Sequence, residues 1–577
     1  RCLAEDVIFA RYREDYDPLV ELIKLCEDCE GADSDRLDKE RPRSVEDRLK
    51  LRIINGDRIG LEEDLQEAML TYRPLDIVNE ILLDGMKTVG DLFGAGQMQL
   101  PFVLQSAETM KAAVRFLESH MDRVAHGGKG TIVLATVRGD VHDIGKNLVD
   151  IILTNNGYTV INLGIKQPIN NMIDAYLEHQ ADAIGMSGLL VKSARVMREN
   201  LAVLNERGIK APVILGGAVL TRRYVELDLR PEYEAPLFYA KDAFAGLSLM
   251  QEILADKTRE RRYAEAPAAA VPAAGSEYLD APPTIRGADP HAQASQRHGY
   301  LRPVSNISQD EPVPQPPFFG SRVIEHLDPK TALAYLNENM LFQVQWQYRK
   351  DRRTPEQYVR YVNDEVRPIL RNLLQSCERE SILRLQAIYG FWPAQSDGDS
   401  LVVYDPEDRS RQLEVFDFPR MAKPPYWCIS DFFKPVSSGT YDVVAFSIVT
   451  VGRRVSEAAR EWFESDRYVD YVHLHGLGVE LAEAMAELIH KQVRVEWGIA
   501  GEDAREKQGI FKQKYRGSRY SFGYPACPRL EDQVKLWPLL QPERIGVNLT
   551  EEFQLEPEQT TTAIITHHRQ AKYFNVR

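Results

Sequence analysis

The sequence predicts a multidomain chain of mixed class, α/β and α+β: a helical bundle, then a doubly wound parallel sheet, then a mixed α+β domain. Three observations predict it. The 577 residues leave room for roughly three or four domains. Apolar residues recur at helical spacing up to about residue 122, whereas from about 128 to 256 short apolar runs alternate with helix-like segments. From about 258 to 317 Ala, Pro, Gly and Ser dominate; such a stretch buries too little apolar surface to offset its ordering entropy and reads as a linker.

In the first region, 1–122, Leu61, Leu65, Ala68 and Met69 form one apolar stripe. Ile77, Ile81, Leu82 and Val89 form a second, and Val103, Ala107, Met110 and Val114 a third. Pro74 and Pro101 stand where new helices begin, the position at which a missing N–H costs nothing. Together these give a small helical bundle. In the second region, 128–257, strand candidates are 131–137, 159–163, 183–186, 212–215 and 236–239, with helices near 146–156, 169–179, 193–206, 220–228 and 243–255. Short apolar strands with helical neighbours on both sides mark a parallel sheet covered on both faces. Five such units give a flavodoxin-like, Rossmann-like domain. In the last region, 318–577, residues 441–451 read as a buried strand. Residues 469–497 read as a long helix with Leu474, Leu477, Leu481, Met485 and Leu488 on one face. No repeat stands out at solenoid periods.

A formal net charge of −15 without a Lys/Arg block argues against a nucleic-acid or anionic-membrane surface. No apolar stretch approaches the ~20 residues that span a bilayer. The chain starts at Arg1 and lacks the h-region of a signal peptide, which reads as an internal piece of a longer cytosolic protein; a monomer is expected. Six cysteines in so long a chain fit a reducing compartment. Cys26 and Cys29 form a lone C-x-x-C, short of the four ligands of a structural zinc site, and read as incidental helix residues.

The most telling run is 138–147, which contains Asp140, His142 and Gly145. It follows the first strand of the parallel sheet, and a His at that C-terminal edge faces the crevice where open α/β sheets hold ligands. Asp140 can hydrogen-bond the imidazole and fix its tautomer, and Gly145 permits close approach. An imidazole nitrogen there suits a metal. Ser187-Gly188-Leu189 after the third strand and Gly216-Gly217 after the fourth put small residues at the same edge, where a ligand can approach without a Cβ in the way. A lone His is ordinarily structural, and a lone Gly pair is ordinarily a turn; the three motifs in this order are what carry the reading.

D-x-H-x-x-G, S-x-L and GG in this order resemble the cobalamin-binding domains of methionine synthases, corrinoid methyltransferase carriers and certain mutases. The resemblance implies that His142 is the cobalt ligand. It implies that Gly139, Asp140, Val141, Asp143, Gly145, Ser187, Leu189, Val191, Gly216, Gly217 and Ala243 line the cobalamin site, with methylcobalamin as the working form. It further implies that Ser193, otherwise readable as a helix N-cap, ends an Asp–His–Ser relay through Asp140 and His142, the catalytic trio. The run 90–101 resembles the cap bundle of the methionine synthase family, which implies that Phe93, Leu100 and Val103 cover the methyl-bearing face; periodicity alone would make them bundle core.

The run Arg519-Tyr520-Ser521-Phe522-Gly523-Tyr524-Pro525-Ala526-Cys527-Pro528 resembles the S-adenosylmethionine site of the activation domain of that family. Arg519 offers a planar fork for a ligand carboxylate, and Gly523 with the prolines shapes a rigid loop. The resemblance implies that Arg519, Gly523, Tyr524 and Ala526 bind S-adenosylmethionine, along with Asp431, Glu483, Tyr573 and Phe574. For the carboxylates the plain alternative is a solvated charge. There are departures: Arg529-Leu530-Glu531 where relatives carry an acidic residue and His-Thr, and Val191 where a Thr is familiar.

What the resemblance implies is cobalamin-dependent methyl transfer from methyltetrahydrofolate to homocysteine, with oxidised cofactor repaired by one-electron reduction and S-adenosylmethionine. This chain would supply cobalamin carriage and repair. The homocysteine and folate modules, with their zinc, would lie elsewhere in the full-length protein, and a flavodoxin-like protein would donate electrons. Two rivals share the first half: a non-catalytic cobalamin carrier or regulator, which should lack the 519–528 run, and a mutase subunit, which needs a substrate barrel.

Overall fold

The structure is a computed structural model that describes residues 44–118, 120, 129–189, 191–264, 305–351, 353–504 and 506–576. The Cys26/Cys29 pair lies outside the described residues. The chain divides into two compact units, residues 1–127 and 128–577.

The first unit is helical, with α1 (Val45–Asn55), α2 (Leu61–Met69), α3 (Leu83–Gly94) and α4 (Leu100–Glu118). Ser44 caps α1 by accepting from the Asp47 amide, and Gly56 ends it with φ +68°. Pro74 occupies a helix first turn as predicted, but residues 77–82 coil as a π-helical stretch that leads into α3. Leu49, Ile53, Leu65, Ile77, Leu82 and Val103 are fully buried. Inside the apolar stripe of α2, Asp64 is also buried, because Arg48 and Arg52 of α1 both reach it. Burial would raise the Asp64 pKa; the two guanidiniums outweigh it and hold the carboxyl below its usual range.

The second unit opens with a five-stranded parallel sheet: β1 (Thr131–Thr136), β2 (Thr159–Asn162), β3 (Ala183–Ser187), β4 (Val213–Gly216) and β5 (Leu237–Ala240). The order is β2-β1-β3-β4-β5. Helices α5 (Ile144–Asn155), α6 (Ile169–Glu178), α7 (Val191–Glu206) and α8 (Ala243–Ala264) connect and flank it. Strand order reverses between β1 and β3, so the loops leaving these two strands flank the switch-point crevice. Gly217 has φ +115°, and a Cβ there would stand 1.9 Å from the Gly188 carbonyl oxygen. The two glycine motifs therefore meet backbone to backbone, tied by the Gly188 amide on the Gly216 oxygen at 3.3 Å.

The linker is shorter at both ends than 258–317. α8 continues to Ala264, because its charged final turns keep helix-forming residues up to that point. Residues 305–317 are extended and fastened to the last domain. There Trp427 Nε1 donates to Asn306, the Ser308 amide donates to Gln570, and Glu311 pairs with Arg516 at 2.6 Å.

The last domain is α+β, as predicted. β6 (Gly320–Ile324), β7 (Gln386–Asp397), β8 (Ser400–Tyr404), β9 (Gln412–Asp417), β10 (Asp442–Thr450), β11 (Ser518–Tyr520) and β14 (Thr560–Thr566) form a seven-stranded antiparallel sheet. A small hairpin, β12 (Asn548–Leu549) and β13 (Leu555–Glu556), precedes β14. α9 (Arg367–Arg379), α10 (Arg453–Glu464) and the 29-residue α11 (Tyr468–Glu496) complete it. β10 is buried along its whole length, since α11 packs on it while its own Phe446 shares a core with Phe416 and Phe432. Leu474, Leu477, Leu481 and Met485 of α11 are fully buried; Leu488 is only half-buried.

Candidate functional site

The turn after β1 aims His142 into the switch-point crevice. Asp140, fully buried, organises this turn through both oxygens. Oδ1 accepts from the His142 amide at 2.9 Å and from its ring Nδ1 at 3.0 Å. Oδ2 accepts from the Leu189 amide at 2.8 Å and from the Ser193 hydroxyl. The Asp–His–Ser arrangement is thus present, with the carboxylate at its centre, and it ties the β1 loop to the β3 loop. Burial would raise the Asp140 pKa, but His142 and Ser193 outweigh it and lower it. For His142, burial would lower the pKa, yet Asp140 and the charge of Glu558 raise it.

The switch-point edge keeps small and open positions beside His142. Asp140 engages Nδ1, leaving Nε2 as the other ring nitrogen. A Cβ at Gly145 would meet nothing within 4 Å, and Leu189 is 40% exposed. Ser187, Gly216, Gly217 and Ala243 are half-buried at the strand ends of the same edge. Val191 begins α7, and its side chain lies outside the described residues. In the helical unit Phe93 is half-buried, whereas Leu100 and Val103 are buried. The neighbouring Phe102 is 37% exposed.

Segment 549–559 of the last domain rests on the His142 loop. Gln554 Oε1 accepts from the Val141 amide at 3.1 Å, and the Thr550 hydroxyl donates to the Gly139 oxygen at 3.2 Å. Glu552, nearly buried, pairs with Lys192 at 2.7 Å and Arg138 at 3.3 Å; Lys166 pairs with Glu556 at 3.0 Å. Asn147 bridges Asp143 and the Tyr471 hydroxyl, each at 3.0 Å. A cavity remains between the domains, lined by Val141, Asp143 and Asn147 on one side and by Arg453, Arg460, Tyr471, His475 and Glu558 on the other. Burial raises the Glu558 pKa against the pull of His475 and His142.

Arg519 lies on edge strand β11 and reaches α11, where Nη2 donates to Glu483 Oε2 at 2.9 Å. The following loop is a tight turn: the Gly523 amide donates to the Cys527 oxygen at 2.8 Å, and the Cys527 amide to the Tyr524 oxygen at 2.9 Å. This buries Ala526 and leaves Tyr524 51% exposed. Tyr573 is exposed too, but Phe574 is buried in a cluster with Trp427, Phe432 and Tyr520. That cluster draws the segments carrying Asp431, Arg519 and Tyr573 together. Asp431 is itself engaged by Arg420, at 2.7 Å from Oδ1, and by the Cys428 amide.

The sequence reading missed Tyr471, His475, Glu552, Gln554 and Glu558. Tyr471, Glu552 and Gln554 meet partners hundreds of residues away, His475 and Glu558 face each other from different elements, and the run 548–559 carries no periodicity that would point to them.

The fold and this edge together make a doubly wound α/β domain with a carboxylate-braced imidazole at its switch point. Residues 45–118 and 130–248 each match a family described as B12 binding domain. Residues 334–577 match the activation domain of vitamin B12 dependent methionine synthase. Methionine synthase of Mycobacterium tuberculosis is 48% identical over 599 aligned residues, covering 100% of this chain and 50% of that protein. Its Mycobacterium leprae counterpart is 46% identical, with the same coverages. A solved structure of the MetH reactivation domain bound to AdoHcy is 26% identical, with a TM-score of 0.42, over 46% of this chain and 84% of that one. The chain belongs to the cobalamin-dependent methionine synthase family and spans about half the length of the curated relatives it matches. Among the described residues, no helix is long and apolar enough to cross a membrane.

Proposed function

We propose that this chain carries cobalamin and renews it with S-adenosylmethionine, within a cytoplasmic, monomeric methyltransferase that moves a methyl group from methyltetrahydrofolate to homocysteine. The domain limits are taken as 1–122 for the cap, 128–257 for cobalamin and 318–577 for activation, with the linker ends revised as above. The homocysteine and folate modules, with their zinc, belong to the rest of the full-length protein, and a flavodoxin-like donor supplies electrons.

One observation carries the reading: the domain bearing Arg519 rests on the loop bearing His142, through Gln554, Thr550 and Glu552. When bound, cobalamin supplies a nucleophilic cobalt that accepts and gives up a methyl group. His142 would hold the metal through Nε2. Asp140 fixes the ring's tautomer and angle and favours a proton on it when it is free. Ser193 and the Leu189 amide keep Asp140 in place. Arg519 would pair with the S-adenosylmethionine carboxylate, Glu483 with its ammonium, and Tyr524, Tyr573 and the 523–527 turn would frame the adenosine. The experiment is a titration of the cobalamin-loaded chain with S-adenosylmethionine, together with its absorbance spectrum. Saturable binding and a His-ligated spectrum that disappears in His142→Gly are expected. No binding at all would remove the renewal half of the proposal.

A further inference from the structure

Arg519 meets a second carboxylate that neither motif nor resemblance singles out. Glu487 follows Glu483 by one turn of α11, and its Oε2 lies 3.6 Å from Arg519 Nε. Its other oxygen lies 3.7 Å from Arg494 Nη1, and Arg494 closes on Asp503 through Nη2 at 2.9 Å. The charges alternate along this path: Glu483, Arg519, Glu487, Arg494, Asp503. The path is open at one end and closed at the other: the Glu483 side chain is 39% exposed, those of Arg494 and Asp503 only 1% and 5%. The Tyr515 ring lies 4.1 Å from the Arg494 guanidinium and closes the inner end.

A free Arg side chain samples many rotamers, and directing its fork at one ligand requires a hold from behind. Glu483 is poorly suited to that task, being the carboxylate a ligand ammonium can reach. Glu487 is 11% exposed at its side chain and lies toward the interior. Burial raises its pKa, while Arg519 and Arg494 oppose the rise and favour its charge. Arg494 also balances the negative charge that Glu487 places beside Arg519.

We infer that Glu487 is a positioning residue for Arg519: it holds the Nε edge from the buried side so that the rest of the fork meets the ligand's carboxylate. The inference rests on the proposed reading of Arg519 as that carboxylate's partner. A merely structural Glu487 would affect every ligand of the site alike, whereas a positioning Glu487 affects ligands that have a carboxylate.

The test measures dissociation constants on the full, cobalamin-loaded chain for S-adenosylmethionine and for its decarboxylated analogue. Glu487→Gln removes one buried ion-pair partner of Arg519 and should weaken S-adenosylmethionine by about tenfold, while shifting the analogue by less than about twofold. Glu487→Asp should give a smaller loss with the same selectivity, and it carries the comparison alone if the Gln variant does not fold. Equal weakening of both ligands, or of neither, overturns the inference. Arg519→Ala separates the two readings: if it leaves S-adenosylmethionine binding unchanged, the assignment of the site itself fails, whereas loss in Arg519→Ala with unchanged Glu487 variants removes Glu487 alone.

Discussion

His142 and Arg519 sit on two sheets of different kinds. His142 lies in a loop beyond a parallel strand, and its brace, Asp140, is two residues away on the same turn. Arg519 lies on an edge strand of an antiparallel sheet, and Glu483, its nearest partner, is 36 residues away on a packed helix. In the parallel sheet the crevice comes from topology, so a short loop suffices to fill it. In the antiparallel sheet no such crevice exists, and the site is assembled from the edge strand, α11, the 523–527 turn and the last residues of the chain. Damage to the first should therefore stay local and severe, and damage to the second should spread over several segments.

The largest effect is expected at Asp140. Asp140→Ala leaves the buried Ser193 hydroxyl, and with it the Leu189 and His142 amides, without their acceptor, which should lower the unfolding free energy by about 3 kcal/mol. Urea denaturation of the full chain checks this, and a loss well under 1 kcal/mol would mean that the loop does not depend on its carboxylate. Next, Arg519→Ala should weaken S-adenosylmethionine binding by about 100-fold while leaving the cobalamin spectrum intact; calorimetry and absorbance read the two separately, and a changed spectrum would show that the sites are less independent than their architectures imply.

Acid should act on the antiparallel domain first. Burial depresses the His473 pKa to about 4, against 6.5 for a free histidine, and pushes His490 well below its ordinary value. Below about pH 6.5 the unfolded chain takes up protons that the folded helix refuses, so stability present above that pH is lost as pH falls toward 4. At pH 5, His473 alone should cost about 2 kcal/mol relative to pH 7.5. Fluorescence of the six tryptophans follows the shift in denaturation midpoint, and His473→Gln should flatten it.

The smallest effect is expected at the contact between the two sheets. Glu552→Gln removes pairs with Lys192 and Arg138 and should loosen the docked arrangement by about 1 kcal/mol, less at high salt. Small-angle scattering should then show a larger radius of gyration; an unchanged profile would mean that Gln554 and Thr550 suffice.

The same contrast explains what the sequence reveals. The turn at Asp140, His142 and Gly145 is legible because its geometry is local and follows a recognisable strand. The flavodoxin-like order is legible because each strand and helix announces itself by its period. Ser193, 53 residues from Asp140, enters only through resemblance. Glu487 is hidden because a charged residue on a long helix ordinarily faces water, and only packing shows that this one does not. Gln554 is hidden more deeply, since its partner Val141 lies 413 residues away and no spacing rule reaches across two sheets. The end of α8 at Ala264 was misplaced for a simpler reason: its last turns are charged and lack a breaker until Pro267.

Gly139 holds a last consequence. A Cβ placed there would lie 1.9 Å from the Glu552 Cγ, so the two domains fit only because one methyl group is missing. Substituting alanine would put a wedge between Gly139 and Glu552 and force the two surfaces apart at this contact, although Asp140, His142 and Arg519 were all untouched. At φ +79° the glycine also lets the turn form, so one residue serves as both the bend in the loop and the clearance for its lid.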